Sequence, residues 1–380
     1  MNRLILIGNG FDLAHGLKTS YHDFILDYLK NCLKEGLDNL KIRKESSGFR
    51  TLQSDDLIEI RALNTDSYYY DSHPIREIEK IKQQVISIDS IGKIEVMIKS
   101  IGVNINYKGD EFAKSLFNEL ITKNWVDIES IYYQELKKII PQFQDYKSGK
   151  NRNDHGVINR IRNLNEQLDF IKTELGKYLN KVYSKNVNEI RGLKDIIHKD
   201  LEPFVDEDRI IEIPGEYLFL NFNYTTTPNI YLRVLDEVIN IHGELNEEKN
   251  PIIFGYGDEV DKFYEQIEDL NENEFFKHIK SFDYFKTHNY TKLLGFLKKG
   301  EFEVFIMGHS CGVSDRTMLS TIFEDDNCIS IKIFDYRDDK YNYRDKTYEI
   351  SRHFKDKKAM RKKIVPFNEG TYMPQAPKLN

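Results

Sequence analysis

The 380-residue chain, 44.9 kDa, is longer than one typical domain, so one enlarged domain or two modules are expected. Its 40% hydrophobic, 12% aromatic and 31% charged residues exclude a disordered, collagen-like or low-complexity protein. A formal charge of −7 argues against wholesale nucleic-acid binding, because phosphate contacts need a continuous basic face.

The charge is uneven. Residues 351–380 carry Arg352, Lys355, Lys357, Lys358, Arg361, Lys362, Lys363 and Lys378 against Asp356 and Glu369, a net +6 that leaves −13 for the remainder. This basic tail reads first as the solvated face of a terminal helix, with contact to a phosphate backbone as the alternative. Cys32, Cys311 and Cys328 are odd in number, widely spaced and without a CxxC pair, so neither a disulfide framework nor a zinc ribbon is expected. No apolar run approaches the roughly 18 residues of a membrane span, and the apolar start is too short for a signal-peptide core. A cytoplasmic protein without a membrane partner is expected.

In chain order, the run Arg3 to Ile7 ends in Gly8-Asn9-Gly10 and predicts a buried parallel strand followed by a tight turn. Phe24, Ile25, Tyr28, Leu29, Cys32 and Leu33 recur at helical spacing, and the polar stretch 41–75 reads as loop or decoration. Ile158 to Val182 repeats apolar residues every three or four positions for about seven turns, which predicts a long helix with one packed face. Strand-length runs follow at Tyr217–Phe222, Val238–Ile241, Ile252–Phe254, Val304–Met307 and Ile329–Phe334, separated by helix-like stretches at Phe275–Leu297 and Met318–Phe323. The expected fold is α/β, a doubly wound, mostly parallel Rossmann-like sheet with a large helical insertion. Residues 1–24 plus 206–350 form the core, 25–205 the mainly helical insertion and 351–380 the basic tail.

In open α/β sheets ligands sit where strands end, and the sequence offers four such stops. At Gly8-Asn9-Gly10-Phe11-Asp12, glycines after a strand suit a phosphate at a helix start, although Leu13 replaces the third glycine of the dinucleotide fingerprint. Asp12 would repel pyrophosphate there, but suits a ribose hydroxyl or a metal. Asn221 to Pro228 is the second stop, where Asn223 either positions a reactant or ties down a turn. His242-Gly243 is the third: a strand-end histidine before glycine suits a general base, and a structural turn histidine fits the same pattern. The fourth, Gly308-His309-Ser310-Cys311-Gly312, has the spacing of a serine-hydrolase elbow. Against that reading, Ser314 looks like the helix N-cap, and His353 is the one histidine left for a triad in that chain order.

These sites, in this order, resemble the AbiH family of bacteriophage abortive-infection proteins. The likeness rests on Leu4-Ile5-Leu6-Ile7-Gly8-Asn9-Gly10-Phe11-Asp12-Leu13 and on Gly16-Leu17-Lys18-Thr19-Ser20-Tyr21-His22-Asp23-Phe24. It continues in Trp125-Val126-Asp127-Ile128-Glu129, Phe222-Asn223-Tyr224-Thr225, Ile241-His242-Gly243 and Gly308 to Asp315. More distantly the constellation is similar to the sirtuin-like NAD-binding fold. That resemblance implies His242 as base and Asn223 holding the ribose or a water. It also implies Gly8, Asn9, Gly10, Asp12, Thr19, Tyr224, Gly308, His309, Ser310 and Asp315 around the nucleotide. Thr19-Ser20-Tyr21 departs from the sirtuin Asp-Phe-Arg, and the zinc-binding cysteine module is missing.

The resemblance implies a phage-defence effector that binds NAD, as substrate or ligand, or a related nucleotide, and hydrolyses it to nicotinamide and ADP-ribose, without a metal. A phage-derived trigger and a homo-oligomer are the implied partners. Three alternatives stay open: a non-catalytic nucleotide sensor, a metal-dependent nuclease using Asp12, Asp127 and Glu129, and a serine hydrolase using Ser310.

Overall fold

The computed structural model describes residues 1–40, 50–62, 75–109, 111–123, 126–150, 154–183, 187–199, 214–334, 340–367 and 372–377. Among the described residues eight strands appear in chain order: β1 (Asn2–Ile7), β2 (Arg50–Ser54), β3 (Ile58–Ala62), β4 (Val103–Tyr107), β5 (Tyr217–Asn221), β6 (Glu237–Asn240), β7 (Phe302–Met307) and β8 (Cys328–Phe334). The chain divides into two compact units, Met1–Thr19 with Leu179–Asp269 and His278–Asn380, and Ser20–Tyr178 with Leu270–Lys277.

The first unit holds a five-stranded sheet in the order β6-β5-β1-β7-β8, and every pairing in it is parallel. Parallel strands covered on both faces need apolar residues at every position, which is why β1 and β7 read as unbroken runs. Leu4 and Leu6 join one core with Leu293, Phe296, Met318, Ile322 and Phe323, while Ile5 and Ile7 join a second with Phe11, Leu193, Ile197 and Tyr231. The sheet grows from β1 to one side through β5 and β6, then to the other through β7 and β8. Its connectivity therefore reverses between β1 and β7, the place where open α/β sheets bind ligands.

The second unit contains a smaller antiparallel sheet, β2-β3-β4, beside its helices. Strands β2 and β3 fall in the stretch expected to be loop. In β3, Ile58, Ile60 and Ala62 are buried and alternate with polar residues, a half-buried strand pattern too short to stand out in a polar region. The expected long helix forms as Asp154–Tyr183.

Two other expectations differ. Ile252–Phe254 is buried but joins no strand: the Ile253 N–H is donated to the His242 carbonyl at 2.7 Å. The stretch Phe275–Leu297 is not one helix but the short turns Asn273–Phe276, Lys280–Asp283 and Tyr284–Lys286 followed by the helix Asn289–Leu297. The break lies where Ile279 bridges Tyr256, which draws the chain out of helical geometry immediately before Lys280. The basic tail is integrated into the first unit. Val365 N–H bonds Ile331 O at 3.0 Å, and Lys363 caps the Phe323 and Asp325 carbonyls at 2.9 and 2.8 Å.

Candidate functional site

Polar side chains converge after the carboxyl ends of β5, β6 and β7. His242 follows β6 and is 5% exposed. Gly243 behind it has φ +88°, and a Cβ there would lie 2.2 Å from the Pro251 carbonyl oxygen, so the turn that presents His242 requires glycine. The His242 Nε2 lies 3.2 Å from Asp315 Oδ1 and 3.1 Å from the Tyr284 hydroxyl. Lys280, 1% exposed, donates to the same Asp315 oxygen at 2.8 Å.

These contacts set the charges. Burial alone would raise the Asp315 carboxyl, but the Lys280 ammonium and the two imidazoles outweigh it and hold it well below the usual range. Burial and then Lys280 push His242 down, so its imidazole is neutral near pH 7 and competent to accept a proton. His309 is pushed down to about 3, chiefly by burial. Its Nδ1 accepts the Cys311 N–H at 3.0 Å, which leaves the ring proton on Nε2, 3.7 Å from Asp315 Oδ2. Phe222 separates the imidazoles, its ring centroid 5.1 Å from His242 and 4.2 Å from His309.

Asp315 also occupies the N-cap position of the helix Arg316–Phe323, one residue beyond the expected Ser314. Its carboxylate makes no capping bond, being committed to Lys280 and His242. A capping residue turned away from its helix marks a place where the site takes precedence over local stability.

A second cluster surrounds Asp12, which is 1% exposed. Its Oδ2 accepts from Thr225 Oγ1 at 2.6 Å, whereas its Oδ1 is buried without a hydrogen-bond partner. Burial raises this carboxyl to about 6, against the lowering effect of Thr225, Thr227 and Asn223. Asn223 Nδ2 donates to Gly8 O at 3.1 Å, so it belongs with Asp12, and no hydrogen bond joins it to His242. Asn221 braces this loop, donating to Thr225 O at 2.8 Å and Asn240 Oδ1 at 2.9 Å. The Tyr224 hydroxyl donates to Ile253 O at 3.2 Å.

The first and fourth stops meet directly. Gly10 N–H bonds Gly308 O at 2.9 Å, Gly8 N–H bonds Met307 O at 3.1 Å, and Phe11 N–H bonds Gly8 O at 2.9 Å. A Cβ on Gly308 would lie 2.2 Å from the Phe11 nitrogen, and one on Gly8 2.4 Å from His309 Cα. The glycines allow this close approach, and these N–H groups are spent inside the protein. Asn9 is exposed and accepts from the buried Thr19 hydroxyl at 2.6 Å.

Ser310 is exposed, and its Oγ accepts only the Gly312 N–H, at 3.4 Å. His353 bonds Cys311 O through Nε2 at 2.8 Å, and no hydrogen bond joins it to Ser310. A serine nucleophile needs an adjacent base, and Ser310 has none. Ser310→Ala is accordingly expected to leave any hydrolytic activity within a few-fold, and a fluorophosphonate probe to leave Ser310 unlabelled; stoichiometric labelling would reinstate the hydrolase.

A family model, Bacteriophage abortive infection AbiH, matches residues 4–336, a span that includes every stop described above. The chain belongs to the AbiH family. No curated protein and no solved structure matches it. In this AbiH chain the Trp125 segment contributes differently from the strand-end motifs. Trp125 lies outside the described residues, and Asp127 caps the helix Ile128–Lys147 through a 3.0 Å bond from Ser130 N–H. Among the described residues no group of three or more His, Cys, Asp or Glu is placed to hold a metal ion. No helix among them is long and apolar enough to cross a membrane, and all three AbiH-chain cysteines are free and buried. Sequence reasoning missed Lys280 and Tyr284. An isolated lysine and tyrosine in an apparently helical stretch carry no signal until the Tyr256–Ile279 bridge fixes where they fall.

Proposed function

We propose that this chain is an abortive-infection effector that takes up NAD or a related nucleotide at the ends of β1, β5, β6 and β7 and hydrolyses its N-glycosidic bond to nicotinamide. The observation that carries the reading is the buried His242, neutral and held against an ionised Asp315. A strand order that reverses between β1 and β7 supports a nucleotide as the occupant.

In this reading the His242 imidazole removes a proton from water as its oxygen bonds to the ribose carbon. The carbon–nitrogen bond breaks, and the nicotinamide nitrogen keeps the electron pair. Asp315 stabilises the imidazolium that forms, and Lys280 keeps Asp315 ionised before the proton arrives. The Tyr284 hydroxyl, 3.1 Å from Nε2, orients the ring. Asn223 faces the ribose from the loop after β5.

The test is nicotinamide release from NAD by purified protein, alone and with phage-infected lysate. Release is expected to fall by about 100-fold or more in His242→Ala, the usual worth of a general base, and to fall also in Asn223→Ala. Absence of release under every condition would sink the enzymatic reading.

A further inference from the structure

The mechanism above leaves the orphaned half of Asp12 without a task. Buried polar atoms are nearly always paired, because an unmet acceptor forfeits its hydration with no return. Asp12 Oδ2 has its partner in Thr225, while Oδ1, equally buried, has none. Thr225 donates to Oδ2, while Thr227 and Asn223 lie near enough to lower the carboxyl but make their hydrogen bonds to Thr225 Oγ1 and Gly8 O, and Oδ1 receives none. A bound group can supply the pairing this oxygen lacks.

We propose that Asp12 Oδ1 accepts a hydrogen bond from a ribose hydroxyl of the bound nucleotide, so that Asp12 makes this chain select ribonucleotides over deoxyribonucleotides. The inference rests on the nucleotide reading given above and names the substrate feature recognised. Position favours a ribose. Asp12 lies in the first turn after β1, at the edge of the sheet reversal, and its partners Asn223 and Thr225 follow Phe222, the residue packed against His242. Chemistry favours a hydroxyl over a cation, since one carboxylate among threonine hydroxyls and an asparagine makes a poor metal site, and the described residues supply no cluster of ligands. The raised carboxyl is consistent with a group whose charge is met only when a donor arrives. A site built to bond a hydroxyl discriminates strongly against the analogue that lacks it, because the buried acceptor is then left unpaired.

Calorimetric titration of the full chain with NAD and with NAD analogues lacking the 2′- or 3′-hydroxyl of either ribose tests this. At least one deoxy analogue is expected to bind about tenfold or more weakly to the natural protein, the usual cost of losing one bond to a charged acceptor. Asp12→Asn is expected to bind NAD more weakly and to lose that discrimination. The ligand series uses the unaltered protein, so it decides the matter even where the variant folds poorly. Equal affinity for NAD and every deoxy analogue overturns the role of Asp12, leaves Oδ1 to a buried water, and leaves the nucleotide reading standing. No binding of NAD or any analogue overturns both.

Discussion

Lys280→Met is expected to destabilise the protein by about 3 to 5 kcal/mol at pH 7.5, the usual cost of stranding one member of a buried ion pair. Lys280 is 1% exposed and its ammonium sits 2.8 Å from Asp315 Oδ1. Methionine preserves the stem and removes the charge, so the loss reports the electrostatics of Asp315 rather than a cavity. Its pH dependence has a definite sign. In the natural protein Asp315 is held well below 3.8, so its contribution to stability is present above that value and is lost as pH falls through the depressed folded value. Without Lys280 the largest opposing contribution to burial is gone and the carboxyl rises from its depressed value, so lowering the pH protonates Asp315 more readily and relieves the variant. Denaturant midpoints at pH 7.5 and 4.5 are therefore expected to show a deficit that narrows on acidification. The double variant Lys280→Met/Asp315→Leu is expected to regain most of the loss, because an apolar pair of similar volume needs no desolvation. A deficit unchanged with pH and unrepaired by the second substitution would mean that Lys280 acts by packing alone.

The same pair marks the boundary of what could be read in advance. The five parallel strands are visible because burial on two faces demands uninterrupted apolar runs, as in Leu4-Ile5-Leu6-Ile7 and Val304-Phe305-Ile306-Met307. Ile252–Phe254 has the same composition for another reason. Ile253 and Phe254 are each 2% exposed, yet they line a loop pinned to the His242 carbonyl, so apolarity reported burial and not pairing. His242 is legible because it falls just beyond a strand, and Asp315 only because it closes the Gly308 to Asp315 motif that carries the family resemblance. Lys280 was not, since a lysine in sequence reads as solvent-facing, and only the register between Tyr256 and Ile279 carries it inside. The glycines of the first loop have the sequence pattern of a phosphate cradle. In the fold their lack of a side chain admits the Gly308–His309 turn, a close approach that no single segment of sequence encodes.

Asp12→Asn is expected to act in the opposite direction on stability and to raise it near neutral pH. The Asp12 carboxyl titrates at about 6 when folded, against 3.8 as its ordinary value, because burial outweighs its hydrogen bonds. The folded state therefore holds this proton more tightly than the unfolded chain, and the group costs nothing below about pH 4. Its penalty grows as pH rises through 6 and levels off above it, at about 3 kcal/mol from the size of the shift. Asparagine keeps the shape and the oxygen that accepts from Thr225, but carries no charge at any pH. Thermal unfolding of both proteins from pH 3.5 to 8 is expected to give curves that lie closest at the acid end and separate in favour of the variant up to about pH 6, with little further change above it. A constant difference across that range would show that Asp12 is not the titrating group. A residue that weakens the empty protein at neutral pH, and sits where the sheet reverses beside Asn223, earns its place through what it binds. Saturating NAD is accordingly expected to close the gap, stabilising the natural protein more than the Asp12→Asn variant, because only the natural carboxylate gains a partner when the ribose arrives.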